Sequence, residues 1–404
     1  MENIITYPFR QENGSNDEQI MNTIRRQGLI SRAEIAKMTG LTPPTITNIS
    51  AKLIELGLIM EDSIGESSGG RRPLLLKINS KISQVIIIHI RSEKMIGYLL
   101  DPEFQIHYIE NKRIKGMKQE DVLELMVKMI ASIQERANGK VQAIGVVVRG
   151  PVRFKEGISV FAPNIGWKNI PLKKMIEEQF HLPAFIENDA KALINGEYYY
   201  GSAKDVDSVI LLKVSHGIGA GIMFNGRIYR GINGSAGEVG HTTIDVSGPV
   251  CSCGNYGCME ALASESALVV MVVKAIKEGQ KSLVYDLVKG ELIHVTPNTI
   301  YEAADAGDEV AIRMLVKVAR YLGIGIANLV NIFNPKVVII GGGIVKARQY
   351  IEDIVRQTIW DRSFESCSSV LEIGFSTAAT ENTMKGAADM VFAEITQSLW
   401  LGQK

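Results

Sequence analysis

The sequence has no net charge, few cysteines and no long apolar run. Among its 404 residues, 44 basic side chains balance 44 acidic ones. The overall charge therefore gives no indication of a nucleic-acid partner, and any contact with DNA must come from a local patch. No apolar run approaches the roughly 18 residues needed to span a bilayer. The first fourteen residues also lack the apolar core of a signal peptide, so we expect a cytoplasmic protein.

Three of the four cysteines lie close together. Cys251, Cys253 and Cys258 follow His241 within eighteen residues, whereas Cys367 stands alone. One imidazole and three thiolates form a complete tetrahedral ligand set for Zn²⁺, with no position left for water or substrate. Thiols that serve a metal also fit a reducing compartment. The pattern favours a structural zinc site; ordinary buried thiols or a disulfide pair are the alternatives.

The residues around the cysteines suit a compact loop with acids at its ends. Gly254 and Gly257 separate the cysteines and allow the backbone to fold back tightly. Glu238 precedes His241, and Glu260 follows the last cysteine. A rigid metal loop would fix these carboxylates in space, which suits hydrogen bonding to a polyhydroxylated ligand. Two solvated surface acids are the alternative interpretation.

Three short helices are predicted near the N-terminus. The first ends at Gly28, and the second begins with a capping box formed by Ser31 and Glu34. Thr42 is a candidate N-cap for the third, with Pro43 at the first helical position.

The third helix is predicted to be amphipathic. Its apolar stripe consists of Ile46, Ile49, Leu53 and Leu56. Two short helices joined by a turn, the second beginning with small polar side chains, are what a helix-turn-helix presents to the major groove. A plain three-helix bundle with a solvated face is the alternative. The residues expected to contact DNA from this helix are Thr42, Pro43, Thr45, Thr47, Asn48 and Lys52.

Two short strands, 58–60 and 74–78, follow the third helix. The Gly/Ser-rich loop between them ends at Arg71 and Arg72, which could reach phosphates or a narrow minor groove as part of a wing. A flexible interdomain linker is the alternative for this loop. Residues 17–77 carry eight basic and seven acidic side chains, so the region is not broadly basic.

The remainder of the sequence alternates strands and helices, which indicates an α/β fold with a largely buried sheet. Residues 85–90 and 95–100 predict a hairpin, and a helix over 121–137 precedes a strand over 141–148. A later strand delivers Glu187-Asn188-Asp189 to its carboxyl end, where α/β proteins bind ligands. Helix capping is the commoner use of such Asn and Asp residues.

Two glycine-containing loops follow predicted strands. Ser215-His216-Gly217 comes after the strand 209–214, and Gly341 to Gly343 come after the strand 337–340. A strand followed by glycines and a helix can present backbone amides to a phosphate or adenine. Tight packing is the alternative reason for the glycines.

The segment from Gly237 to Glu260 resembles the signature of the ROK family of bacterial sugar kinases and sugar-responsive repressors. It reads Gly-Glu-x-Gly-His and then, starting ten positions after the His, Cys-x-Cys-Gly-x-x-Gly-Cys-x-Glu. Residues 162–167 and 187–189 resemble the family's sugar pocket. Residues 68–73 resemble part of the N-terminal winged-helix module of ROK repressors. The resemblance implies zinc held by His241 and the three cysteines. It also implies sugar contacts from Asn164, Asn188, Asp189, Glu238, His241 and Glu260, with Asp189 at the position of the kinase base.

The nucleotide motifs of ROK kinases are altered in this sequence. The kinases carry Asp-x-Gly-x-Thr after the first strand, whereas residues 89–94 contain no glycine, and Ser215-His216-Gly217 replaces a Gly-Thr-Gly. Without a metal-binding carboxylate and a glycine nest, the site lacks the electrostatic stabilisation on which phosphoryl transfer depends. We therefore do not expect an enzyme.

Together these features predict a sugar-responsive transcriptional repressor. Its parts would be a winged helix-turn-helix over 1–80 and an actin-like (ASKHA), two-lobed ROK body with lobes over 81–195 and 196–404, the final helix packing back on the first lobe. The expected partners are double-stranded operator DNA, a sugar such as xylose, glucose or N-acetylglucosamine, and at least one further copy of the chain. The alternatives are an ATP-dependent sugar kinase with a DNA-binding arm and a scaffold whose winged helix binds protein.

Overall fold

The computed structural model describes residues 15–64, 73–81, 83–162, 165–204 and 206–401. The chain divides into two compact units, Met1–Glu187 with Met384–Lys404, and Asn188–Thr383. Among the described helices, none combines the length and apolarity that crossing a bilayer requires. Three residues predicted to bind DNA or sugar lie outside the described residues, namely Arg71, Arg72 and Asn164.

The N-terminal part of the first unit has three helices and a small antiparallel sheet. The elements are α1 (Asn16–Gln27), β1 (Ile30–Ser31), α2 (Arg32–Thr39), α3 (Pro43–Glu55), β2 (Ile59–Ile64) and β3 (Leu74–Ile78). The strand order is β1-β3-β2. The helices and strands share one apolar core, in which Ile20, Ile35, Ile46 and Leu76 are fully buried.

The helix starts agree with the sequence in one case and differ in another. The predicted capping box at α2 is confirmed, since the Glu34 amide donates to Ser31 Oγ at 3.2 Å and the Ser31 amide to Glu34 Oε2 at 2.9 Å. The Ser31 hydroxyl and amide both donate to the Glu34 carboxylate, and these two hydrogen bonds lower the pKa of Glu34. Thr42 is at the N-cap position of α3 but makes no side-chain capping bond, because its hydroxyl bonds to that of Thr45 at 2.9 Å.

The prediction that Leu56 is buried was wrong. Helix α3 ends at Glu55, and Leu56 is 45% exposed. The apolar stripe stops at Leu53 because the chain leaves helical geometry at Gly57, where φ is +69°. Ile46 and Leu53 are fully buried as predicted.

The rest of the first unit contains a five-stranded sheet in the order β11-β7-β4-β5-β6 and a three-stranded sheet in the order β10-β9-β8. Strands β4 and β5 form the predicted antiparallel hairpin, and β7 pairs with β4 in parallel. The elements are β4 (Gln84–Ile90), β5 (Lys94–Leu100), β6 (Ile106–Arg113), α4 (Gln119–Glu135), β7 (Val141–Val148), β8 (Val152–Arg153), β9 (Ile158–Ala162), β10 (Trp167–Ile170), α5 (Leu172–Phe180) and β11 (Ala184–Asn188).

The second unit is built on a five-stranded sheet in the order β14-β13-β12-β15-β16. Strands β12, β15 and β16 are parallel, so their carboxyl ends lie at one edge of the sheet. The elements are α6 (Asp189–Tyr200), β12 (Ser208–Val214), β13 (Ile218–Phe224), β14 (Arg227–Ile228), α7 (Met259–Ala263), α8 (Glu265–Lys277), α9 (Leu283–Leu287), α10 (Pro297–Asp305), α11 (Glu309–Phe333), β15 (Val337–Gly341), α12 (Arg348–Arg362), α13 (Glu365–Ser368), β16 (Glu372–Phe375) and α14 (Ala379–Leu401).

Helix α14 belongs to the first unit after Thr383 and contacts two of its parts. On strand β7, a Cβ added to Gly145 would lie 2.7 Å from Val391 Cγ2, so the glycine allows the helix to approach the sheet closely. Asp389 accepts from Arg25 of α1 at 2.7 Å and from Arg26 at 3.0 Å. The Asp389 side chain is 1% exposed, so this ion pair is buried.

Candidate functional site

The four predicted metal ligands converge in the second unit. One ligand atom from each of His241, Cys251, Cys253 and Cys258 lies within 4.8 Å of all the others. Cys251 Sγ is 3.5 Å from His241 Nδ1, and Cys253 Sγ is 3.8 Å from Cys258 Sγ. Four soft donors at this spacing match the ligand set of a structural zinc ion. Because Nδ1 faces the sulfur atoms, Nε2 is the imidazole nitrogen left for another partner.

The loop that carries the cysteines depends on its glycines, as the sequence predicted. Gly254 and Gly257 have φ values of +93° and +63°, which side-chain-bearing residues rarely adopt. A Cβ on Gly257 would also lie 1.6 Å from the Asp245 carbonyl oxygen. Antiparallel bridges pair Val250 with Tyr256 and Thr243 with Cys258, which brings the chain back toward His241. These turns place sulfur atoms from both sides of the loop next to one imidazole.

The thiols have opposite pKa shifts. Burial raises the pKa of Cys258 to about 12, whereas a hydrogen bond from the Asn255 backbone is the main cause that lowers the pKa of Cys253. A buried thiol with a raised pKa remains protonated at neutral pH unless a cation stabilises the thiolate. The ligand set therefore suits a divalent cation.

The two acids at the ends of the metal loop are partly buried. Glu260 Oε2 accepts a hydrogen bond from the Ile218 amide at 2.9 Å, and Oε1 accepts one from the Ser252 hydroxyl at 3.2 Å. Burial is the main cause of a raised pKa at Glu238. Neither carboxylate is a fully solvated surface acid.

Electrostatic interactions connect Glu238 to the start of α6. The charges of Asp189 and Glu260 raise its pKa, while Lys191 and His241 lower it, and burial outweighs all four. Asp189 and Glu260, two other carboxylates predicted to bind sugar, therefore lie close enough to Glu238 in the second unit to change its pKa. The cluster formed by Asp189, Glu238, His241 and Glu260, together with Lys213, is called the sugar-side cluster below.

Asn188 and Asp189 have different roles at the start of α6. Asn188 is the N-cap, and its Oδ1 accepts from the amides of Ala190 at 2.9 Å and Lys191 at 3.1 Å. Capping, which the sequence left open, is therefore one role of Asn188. Asp189 forms an ion pair with Lys213 of β12, and the two side chains are 13% and 14% exposed.

Sequence reasoning missed two lysines at this site. Lys191 is 2% exposed, and its ammonium donates to the Gly234 carbonyl at 2.5 Å. Lys213 interrupts the otherwise apolar run of β12. A cation inside a central strand is a visible signal in the sequence, because unpaired charges are rarely buried.

A second cluster lies where the sequence placed a candidate phosphate loop. The Gly343 amide donates to Ser215 Oγ at 3.3 Å. A Cβ on Gly343 would lie 2.1 Å from Glu265 Oε1, so a carboxylate of the protein fills the space beside this glycine. The same oxygen accepts a hydrogen bond from the buried Tyr301 hydroxyl at 2.8 Å. Gly343, Glu265 and Tyr301 are called the phosphate-side cluster below.

The two side chains of the phosphate-side cluster are buried. Glu265 is 6% exposed and Tyr301 is 5% exposed. Burial and the charge of Glu265 raise the pKa of Tyr301 well above its ordinary value, so its hydroxyl remains a donor. The sequence did not indicate Glu265 as a functional residue, because its contact with Gly343 depends on the tertiary fold.

The predicted DNA-contacting residues lie along α3 in the first unit. Thr45 is half-buried, and the Thr47 hydroxyl donates to the Pro43 carbonyl at 2.9 Å. Lys52 is 3.5 Å from Asp17 and 49% exposed. The exposed members are Thr42, Pro43, Thr47, Asn48 and Lys52.

Known proteins resemble the chain over most of its length. A xylose repressor of Caldicellulosiruptor bescii is 35% identical over 386 residues, covering 93% of this chain and 95% of the relative. The crystal structure of a ROK family transcriptional regulator, a homologue of the E. coli MLC protein, superposes with a TM-score of 0.82 at 30% identity and covers 96% of this chain and 97% of that one. A ROK family glucokinase of Streptomyces griseus in complex with glucose and AMPPNP has a TM-score of 0.68 at 29% identity, covering 76% of this chain and 98% of that one.

Family profiles match two separate segments of the chain. A winged helix-turn-helix DNA-binding profile matches residues 15–60, and the ROK family profile matches residues 85–394. The body has the fold shared by ROK regulators and ROK kinases. The chain belongs to the ROK family and carries an N-terminal winged helix-turn-helix.

Proposed function

We propose that the protein is a sugar-responsive transcriptional repressor. The winged helix binds a double-stranded DNA operator, and a monosaccharide bound by the ROK body controls that affinity. A repressor of xylose genes is similar along nearly the whole chain, including the DNA-binding part. D-Xylose is therefore the first sugar to test, with D-glucose and N-acetylglucosamine as the other candidates.

The contact between Glu265 and Gly343 is the observation that favours a regulator over a kinase. A phosphate bound at the glycine turn would lie against a buried carboxylate, and like charges at close range in a poorly solvated site repel strongly. Phosphoryl transfer needs positive groups and free amides at that position. The absence of glycine from residues 89–94 supports the same conclusion.

The sugar would bind to carboxylate oxygens and to the imidazole of His241, which the metal site would hold in place. Carboxylates accept strong hydrogen bonds from hydroxyl groups, and the charges of Asp189 and Glu260 both act on Glu238. The proposed sugar contacts are Asn164, Asn188, Asp189, Glu238, His241 and Glu260.

We assign a structural Zn²⁺ to His241, Cys251, Cys253 and Cys258. The ion would stabilise the buried thiolates and hold the loop rigid. His241 Nε2 would then be fixed in orientation, and Glu238 and Glu260 would be held at the two ends of the loop.

Control of DNA binding would follow from linkage. The sugar must bind one arrangement of the body more tightly than another, since equal affinity for both would shift nothing. Operators with two half-sites also require at least a homodimer. We propose a DNA-binding domain over 1–80 and two lobes over 81–195 and 196–404, with the final helix of the second lobe packed on the first lobe. We also propose a cytoplasmic location, because operator DNA lies there.

The proposal is tested by measuring sugar and DNA binding together. Isothermal titration with D-xylose, D-glucose and N-acetylglucosamine should identify one sugar that binds. In thermal denaturation the same sugar should raise the melting temperature of the protein. The same sugar should weaken binding to upstream DNA in fluorescence anisotropy by about 10-fold or more, within the usual range of allosteric coupling. The proposal would be contradicted if the affinity for DNA were the same with and without each sugar that binds.

A matched pair of variants tests the recognition helix. Asn48→Ala should relax base preference, with a loss of about 1–3 kcal/mol for the preferred operator. Lys52→Ala should weaken binding uniformly and reduce the salt slope by about one. Equal behaviour of both variants and the parent would favour the scaffold alternative.

The similarity to a glucokinase is the reason to test the kinase alternative. The test is an ATP-coupled phosphorylation assay with the same sugars. We expect no turnover above background. Turnover that disappears in Asp189→Asn would show an enzyme instead.

A further inference from the structure

Lys213 is a partly buried cation near the carboxyl end of strand β12. Strand β12 lies between β13 and β15, and the residues before and after Lys213 in the strand are fully buried apolar side chains. The neighbours of Lys213 across the sheet are Gly219 on β13 and Gly341 on β15. Because neither glycine has a side chain, the lysine side chain has room on this face of the sheet to reach Asp189 at the start of α6.

The ammonium of Lys213 has more donors than the protein uses. An ammonium carries three N–H donors, and in the part of the chain that the structure describes the recorded partner of Lys213 is the Asp189 carboxylate. The side chain is only 14% exposed, so bulk water solvates it poorly. A buried charge is costly unless its donors find acceptors. The remaining N–H groups therefore require oxygen atoms from a ligand or from bound water.

The other lysine of the region has a different role. Lys191 is more deeply buried, and its ammonium donates to the Gly234 backbone carbonyl. This contact ties the start of α6 to the segment that precedes Glu238. Lys191 thus supports the backbone, whereas the ammonium of Lys213 lies beside the carboxylate that the proposed function assigns to the sugar.

We propose that Lys213 is a sugar-contacting residue that determines specificity. Together with Asp189 it forms a donor–acceptor pair that recognises two adjacent hydroxyl groups of a monosaccharide. One hydroxyl donates to the Asp189 carboxylate, and the oxygen of its neighbour accepts from the Lys213 ammonium. This inference rests on the proposed function, since it specifies the ligand of the same site.

The pair imposes a chemical requirement on the ligand. Charged partners strengthen hydrogen bonds to hydroxyl groups, so a sugar that lacks either of the two adjacent hydroxyls loses one charge-assisted hydrogen bond at a poorly solvated site. Sites that hydrogen-bond a substrate hydroxyl reject the deoxy analogue strongly for this reason. A ligand with a single hydroxyl at this position, or with an apolar substituent on its neighbour, would be excluded.

Sugar analogues distinguish the two positions. Isothermal titration would use the monodeoxy and monodeoxyfluoro derivatives of D-xylose or D-glucose, whichever parent binds. Fluorine cannot donate a hydrogen bond but can accept a weak one. At the position facing Lys213 we expect a loss of about 10-fold for the deoxy sugar with partial recovery for the fluoro sugar, and at the adjacent position facing Asp189 an equal loss for both.

The variant Lys213→Met removes the ammonium and keeps the apolar stem. Its affinity for the parent sugar should fall about 10-fold, and the deoxy penalty at the Lys213-facing position should shrink to within about 2-fold while the adjacent penalty persists. Circular dichroism and melting temperature establish that the variant is folded. If it is not, Lys213→Gln, which retains one amide donor, takes its place in the same cycle.

Two results would overturn the proposal in distinguishable ways. If the variant binds the parent sugar as tightly as the original protein, or keeps every deoxy penalty, Lys213 does not contact the sugar although the site does. If no monosaccharide binds the original protein, the proposed function fails and this inference with it.

Discussion

The sugar-side and phosphate-side clusters lie in the same unit of the chain but use their polar groups differently. In the phosphate-side cluster, the Tyr301 hydroxyl donates to Glu265, and that carboxylate fills the space beside Gly343. In the sugar-side cluster, the Lys213 ammonium is bonded to Asp189 and has further N–H donors. If the proposed function is correct, this fold keeps a ligand site at the sugar-side cluster and closes the phosphate-side cluster, where a buried carboxylate lies against a glycine.

The largest effect should come from breaking the proposed zinc site, and it should affect only one cluster. Cys258→Ser breaks the ligand set, so His241, Glu238 and Glu260 lose their fixed positions. Outer-shell losses alone cost about 10- to 100-fold in metal sites, and we expect sugar affinity to fall by at least about 100-fold. Elemental analysis and isothermal titration measure zinc and sugar together.

Cys367→Ser is the matched control, because this half-buried cysteine lies outside the cluster. It should retain the metal and the sugar affinity. A metal-free Cys258→Ser protein that binds sugar normally would separate the two sites that we have connected.

The next effect should come from Asp189→Asn. The substitution keeps the shape but removes the charge that pairs with Lys213. Hydrogen bonds to charged groups contribute about 1.5–3 kcal/mol, so we expect sugar affinity to fall about 10- to 100-fold in calorimetry. Asp207→Asn, at an exposed position before β12, should change nothing. An unchanged affinity in Asp189→Asn would remove the sugar-side cluster from the comparison.

Glu265→Ala should open the phosphate-side cluster. Removing the carboxylate frees the space beside Gly343 and relieves repulsion of phosphate, so the affinity for Mg·AMPPNP should rise by about 5-fold or more. The variant should also lose about 1–3 kcal/mol of stability, because the buried Tyr301 hydroxyl loses its acceptor.

Tyr301→Phe is the control for Glu265→Ala. It removes the same hydrogen bond but leaves the carboxylate in place, so nucleotide affinity should not rise. If both variants gain nucleotide affinity equally, the charge of Glu265 is not what closes the cluster.

The smallest effect should come from Ser252→Ala. Its hydroxyl donates to Glu260 at 3.2 Å from an exposed position, where a hydrogen bond contributes only about 0.5–1 kcal/mol. Sugar affinity should fall about 2- to 5-fold, with no change in nucleotide binding. A loss as large as that of Asp189→Asn would mean that Glu260 depends on Ser252 for its position.

The sequence was a good guide to elements whose causes are local. The capping box of Ser31 and Glu34 was confirmed because both partners lie within one helical turn. Asn225-Gly226 is another local signal, since an Asn-Gly dipeptide between apolar runs favours a tight turn, and both residues have positive φ. Leu56 was predicted wrongly because the end of α3 is set by the glycine that follows it.

The same distinction applies to the candidate site. His241 and the three cysteines could be identified because they lie in one short segment. The ion pair of Lys213 with Asp189 and the contact of Glu265 with Gly343 join residues from separate elements. Sequence spacing does not determine such contacts, and only the charge within an apolar strand indicated the first of them.

The buried ion pair between Asp389 and α1 has a practical consequence for anyone shortening this chain. Asp389 is 363 residues from Arg26, and its side chain is 1% exposed. Removing one partner of a buried ion pair costs about 3–5 kcal/mol. A version cut before the last helix would leave two arginines of the first helix without their counter-charge. The last helix therefore supports the winged-helix part of the chain. Deletions there should weaken operator binding before they weaken sugar binding.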